Sequence, residues 1–172
     1  MRLTLWATVL LLGMAVVGAD LEPYEAKVRT PTEPDTLDMV HARSDADARI
    51  VLRQRYPACT ILSLRRLERQ NGYDWYVARA SVAGANVVDT ALAKGSGQAR
   101  RIFTARFPGS NIVSLTKLPP TDRYSLFTCT LHGADRKVFR DVVFAAGSGN
   151  ARKALQARYP EARIASLTET AG

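Results

Sequence analysis

The chain has 172 residues, an apolar fraction of 47% and a formal charge of +8. That length holds one ordinary domain or two small ones, and that much apolar content excludes a disordered chain. Two cysteines and two histidines exclude a disulfide-stapled scaffold and leave little for metal ligation.

Residues 1–19 have the pattern of a signal peptide. Met1-Arg2 is a short positive start, Leu3 to Val17 is a nearly unbroken apolar run, and Val17-Gly18-Ala19 supplies small residues where a signal peptidase cuts. Asp20 is the expected mature start, and a secreted or periplasmic location follows. The run is short for a helix crossing a hydrocarbon layer of about 30 Å, so no stable membrane insertion is expected after cleavage. Residues 20–43 are acidic and carry Pro23, Pro31 and Pro34. They read as an extended linker, with Met39, Val40 and Ala42 leading into a first helix.

From Ser44 onward the chain repeats itself. Ala48-Arg49, Arg55-Tyr56-Pro57, Ile61 and Ser63-Leu64 return as Ala99-Arg100, Arg106-Phe107-Pro108, Ile112 and Ser114-Leu115. They return again as Ala151-Arg152, Arg158-Tyr159-Pro160, Ile164 and Ser166-Leu167. Seven positions of a 17-residue window are identical in all three copies, and an eighth is always Tyr or Phe. Ala48, Val51, Leu52 and Tyr56 fall on one face of a helix, as do Ala99, Ile102, Phe103 and Phe107, and Ala151, Ala154, Leu155 and Tyr159. A residue before proline is pushed out of the α region, so each helix should end at the aromatic-Pro step. Gly95-Ser96-Gly97 and Gly147-Ser148-Gly149 precede the later helices, with Ser96 and Ser148 as expected N-caps.

Strands are expected over residues 60–68, 73–82 and 86–93, and again over 111–118, 124–131 and 137–145. Gln70-Asn71-Gly72, Pro119-Pro120 and Gly133-Ala134 break them. The expected fold is therefore α+β: tandem αβββ repeats with the helices packed on one face of antiparallel sheet. The boundaries are 44–94 for the first repeat and 95–146 for the second. A partial third repeat of helix plus strand, 147–172, completes the second.

An amphipathic helix ending in an aromatic-Pro step, then a strand, a Gly turn and two more strands, resembles PepSY and PepSY-like domains. The carrying residues are Ala48-Arg49 through Tyr56-Pro57 with Ile61, and their two copies; Asp89 and Asp141 match part of that family's acidic pattern. The resemblance implies a non-catalytic cell-envelope or secreted module that binds or inhibits a partner protein, often a hydrolase. The order helix, three strands, helix is also similar to double-stranded-RNA-binding domains. That second resemblance implies phosphate contacts from the basic residues after the Gly turns, Arg100, Arg101, Arg152 and Lys153.

No nucleophile elbow, phosphate loop or zinc spacing is present. His41 and His132 have no partner at a motif spacing, so no catalytic residue, metal or cofactor is expected. In the second strand Tyr76, Ala78, Ala80 and Val82 alternate with Tyr73, Trp75, Val77 and Arg79; in its copy Phe127, Cys129 and Leu131 alternate with Tyr124, Leu126 and Thr128. The first set in each strand is assigned to the helix-covered core. The opposite face then carries Tyr73, Trp75, Val77, Arg79, Tyr124 and Leu126, a composition typical of protein-binding surfaces. With 19 Arg and 5 Lys in the chain, the expected partner is a protein of acidic character. Cys59 and Cys129 are expected to be either buried or joined in a disulfide.

Overall fold

The computed structural model describes residues 21–68, 72–82, 84–119 and 123–170. Residues 1–19, expected from the sequence to be a signal peptide, lie outside the described residues. Helices and antiparallel sheets make an α+β fold: the described residues form three α-helices and three antiparallel sheets of three strands each.

The chain order is β1 (Glu22–Arg29), β2 (Thr36–Ala42), α1 (Asp45–Arg55) and β3 (Thr60–Arg66). Next come β4 (Asp74–Val82), β5 (Ala85–Ala93), α2 (Ser96–Arg106) and β6 (Asn111–Lys117). The last set is β7 (Ser125–His132), β8 (Val138–Ala145), α3 (Ser148–Arg158) and β9 (Arg163–Thr170). The sheets have the orders β2-β1-β3, β5-β4-β6 and β8-β7-β9. Hydrogen bonding thus groups the chain as strand, strand, helix, strand three times, a frame shifted from the expected helix-first one. The segment read as a linker supplies β1 and β2. Its alternation was hidden by acidic and proline residues: Tyr24, Ala26 and Val28 point inward while Glu25 and Lys27 lie between them. Met39, Val40 and Ala42 belong to β2 rather than to a helical lead-in.

The three sets correspond element by element, with first hairpins that differ in length by one residue. Position 38 corresponds to 89 and 141, and 55 to 106 and 158. A register shift interrupts the pairing at equivalent places, Lys27/Val28, Arg79/Ala80 and Thr130/Leu131. Each helix ends at the aromatic-Pro step as its sequence dictates: the main-chain N–H groups of Tyr56, Phe107 and Tyr159 donate back to Leu52, Phe103 and Leu155. The helix starts differ from expectation. Ser96 and Ser148 are the first helical residues, and the N-caps are Gly95 and Gly147, which have no side chain to cap with. The equivalent residue in α1 is Ser44, whose hydroxyl accepts from the Asp47 N–H at 3.2 Å. Gly147 has φ 97°, a conformation that favours glycine.

Each helix packs on its own sheet and also on the inner strand of a neighbouring set: α1 on β8, α2 on β2 and α3 on β5. The inner strands β2, β5 and β8 touch one another in pairs. The result is a closed three-membered ring. Apolar residues fill it: Ala48, Val51 and Leu52 of α1 share one core with Cys129, Leu131 and Val143, while Ile102 and Phe103 of α2 centre a second. Tyr76, Ala78, Ala80, Phe127, Cys129 and Leu131 are buried, as the strand alternation predicts, whereas Val82 at the end of β4 is only half-buried against the same core.

Candidate functional site: an aromatic groove beside a buried charge ring

Three arginines and three aspartates meet where the sets converge. Arg55 donates to Asp38 of its own set at 2.6 Å and to Asp141 of the third at 2.6 Å. Arg106 donates to Asp89 of its own set and to Asp38 of the first, both at 3.0 Å. Arg158 donates to Asp141 of its own set at 2.8 Å and to Asp89 of the second. The six charges therefore alternate in a closed ring with every link buried. The arginines also donate to the main-chain carbonyls of Met39, Thr90 and Val142. Tyr56 and Tyr159 hydroxyls donate to Asp38 and Asp141 at 2.7 Å; Phe107, the equivalent residue, leaves Asp89 without that bond. Burial alone would push Asp38 upward, but the Arg106 and Arg55 guanidiniums outweigh it and hold the carboxyl at about 2. Asp141 is held well below the usual carboxylate range in the same way, by Arg55 and Arg158. Each of the three carboxylates is thus paired with two arginines. Among the described residues no cluster of His, Cys, Asp and Glu is arranged to hold a metal ion.

The face of each sheet turned away from its helix is partly covered by the next set and partly open. On the second sheet this face carries Trp75, Val77 and Arg79 of β4, paired in register with Leu92, Thr90 and Val88 of β5. On the β6 side Leu118, Thr116 and Ser114 flank the same three residues. The third set closes the β5 margin: the Thr90 hydroxyl donates to the Phe144 carbonyl at 2.7 Å. Phe144 lies between Trp75 and Tyr124, with centroids at 4.9 and 5.5 Å and the rings nearly parallel. Two pockets that share Phe144 lie along this aromatic row and together make up the groove. The upper, of about 540 Å³, is lined by Tyr73, Trp75, Leu118, Pro119 and Phe144, with the exposed Asp74–Lys117 pair at 2.8 Å on its rim. The lower is lined by Arg79, Val88, Tyr124 and Asn150.

The equivalent faces of the other two sheets differ in chemistry. Where the second sheet has Val77, Arg79 and Thr116, the first has Glu25, Lys27 and Arg65, with Arg65 donating to Glu25 at 2.8 Å. The third has Thr128, Thr130 and Thr168, and Thr128 meets Thr170 at 3.0 Å.

The structure thus places Tyr73 and Trp75 in the upper pocket and Arg79 and Tyr124 in the lower, with Phe144 lining both and Val77 between Trp75 and Arg79 on the same face of β4. Leu126 lies across from Phe144 in register, on the third sheet's own face. Tyr73 has a further attachment, its hydroxyl donating to Glu25 beneath the Lys94 ammonium, which sits 5.0 Å above the ring. Phe144, the wall of the groove, escaped the sequence reading, because nothing in its own strand announces contact with another sheet. Arg100, Arg101, Arg152 and Lys153 are exposed on the second turns of α2 and α3. Cys59 and Cys129 are both free. Each thiol faces a main-chain carbonyl, of Leu52 and of Asp141; the disulfide is not formed, and of the two only Cys129 is buried as expected, Cys59 being half-buried in the turn after α1. His132 is exposed, whereas His41 lies near the charge ring, where burial pushes its imidazole down to about 4 against the opposing pull of Asp141.

No protein-family model, curated protein or solved structure matches this chain.

Proposed function

We propose that this chain is an exported, non-catalytic binding module that engages a partner protein through the groove on its second sheet. One observation carries the reading. At the positions of Val77, Arg79 and Thr116 the first and third faces carry a charged set and threonines, and where the second has Trp75 the first has Pro23 and the third Leu126. The second face presents a half-buried Trp stacked on Phe144 of the third set. A half-buried Trp beside Tyr, Val and Arg is the composition of an interface hot spot. Tandem repetition supports the reading, since it supplies one face free to specialise while the others maintain the fold. The resemblance of the repeated motif to PepSY-like domains points to the same class, including inhibition of a hydrolase. The apolar run before Asp20 supports a secreted or periplasmic location. No helix among the described residues is long and apolar enough to cross a membrane.

The competing reading is a double-stranded-RNA binder. It is favoured by the exposed Arg100, Arg101, Arg152 and Lys153 on helix turns that hold no acidic residue. Partner capture from the native compartment, with and without nuclease, separates the two. A nuclease-resistant protein partner lost on Trp75→Leu and retained by Arg100→Ala/Arg152→Ala supports the groove. A nuclease-sensitive complex with the opposite dependence contradicts it.

A further inference from the structure

The charge of the chain is unevenly distributed over its three sets. Residues 21–68 hold 8 Lys and Arg against 8 Asp and Glu, whereas residues 69–172 hold 15 against 7. The buried ring contributes equally to both signs, so the excess lies outside it. The whole formal charge of +8 therefore belongs to the two sets that build the groove, its floor from the second and its wall from the third. Arg79 is exposed on the floor itself. The acidic residue bordering the upper end, Asp74, is already paired with Lys117.

Resting on the reading of this groove as a protein-binding site, we propose that its occupant is an extended acidic segment of the partner, anchored by an apolar or aromatic side chain against Trp75 and Leu118. The Trp75 pocket opens toward β6 at Leu118 and Pro119, the Arg79 pocket lies on the β5 and α3 side, and Trp75, Val77 and Arg79 follow one another along the outer face of β4 between them. The free edge of β6, which pairs only with β4 among the described residues, runs alongside. An extended chain laid there meets apolar surface at Trp75 and Val77, and Arg79 at the lower end. Positive surroundings raise the local concentration of an acidic segment and speed its encounter, while the aromatic row fixes its position. A basic segment would meet the same field as repulsion.

A random peptide library displayed on phage and selected on the purified protein tests this. The selected peptides are expected to be enriched in Asp and Glu around an apolar or aromatic residue. Their binding should weaken about thirtyfold in Trp75→Leu/Val77→Thr. Those replacements are the residues that the third set carries at the same positions, Leu126 and Thr128, and circular dichroism checks that the variant stays folded. Enrichment of neutral or basic peptides that still depend on Trp75 overturns the acidic occupant and leaves the groove reading standing. Acidic peptides indifferent to Trp75 but lost on Arg100→Ala/Arg152→Ala, and displaced by duplex RNA, overturn both. Absence of enrichment overturns the acidic segment.

Discussion

Replacing Arg106 with Met breaks the charge ring at one node. Four hydrogen bonds disappear together: Nη1 to Asp89 and to the Thr90 carbonyl, and Nη2 to both oxygens of Asp38. Neither carboxylate is orphaned, because Asp38 keeps Arg55 and Tyr56, and Asp89 keeps Arg158. The ring nevertheless becomes a buried cluster with one unbalanced negative charge. Removing one partner of a buried ion pair costs about 3–5 kcal/mol, a large share of the roughly 5–15 kcal/mol that holds a domain together. Adding Asp89→Asn restores neutrality without changing volume. The double variant is therefore expected to be more stable than the sum of the two single losses by about 1–3 kcal/mol. Urea unfolding followed by far-ultraviolet circular dichroism measures all three variants. A loss within about 0.5 kcal/mol for Arg106→Met, the range of an ordinary surface substitution, would refute the ring as the element that fixes the three sets together. Strict additivity in the double variant would do the same.

Acid should destabilise the protein in two stages. The His41 imidazole titrates near 4 when folded against 6.5 when free, so the folded state binds fewer protons and stability falls between about pH 6.5 and 4; His41→Leu, with the residue found at position 92, should flatten that limb of a stability–pH curve. Asp38, held at about 2 against 3.8 unfolded, extends the decline from about pH 4 to 2, with an amplitude of about 2 kcal/mol. Thiol counting should find two reactive groups only after denaturation: Cys129, whose thiol burial pushes up strongly, should stay unmodified in the native state while Cys59 reacts slowly. Mass spectrometry of the protein from its native host should give a first residue at or near Asp20; an intact Met1 would contradict an exported, processed chain.

The helices and most strands were legible from periodicity and the aromatic-Pro step, because those rest on local sterics. The repeat itself was visible through identity at seven positions, yet its frame was not. Strand pairing joins β1 to β3 across a helix, and no local signal separates that from pairing with the following strand. Arg55, Arg106 and Arg158 stood out as identical residues, but their role needs Asp38, which lay in the segment misread as a linker. Its inward neighbours Val40 and Ala42 carry the strand alternation only if Met39 and His41 are allowed to face another set, a tertiary fact. The groove shows the same division. Trp75, Val77 and Arg79 follow from period-two alternation along β4, while Phe144 and the covering of one margin by the third set depend on how the ring closes. Ser96 and Ser148 were misplaced by one residue, since either the serine or the glycine before it satisfies the same local pattern.

A photo-crosslinking amino acid at Thr116, on the open margin of the groove, and at Thr168, its counterpart on the third sheet, tests the binding reading most directly. Irradiated in the compartment where the protein resides, the Thr116 variant is expected to trap a discrete partner protein at a site around Trp75, and the Thr168 variant to trap none. Equal yields from both positions, or a product from Thr168 alone, would contradict the groove as the surface through which this protein acts.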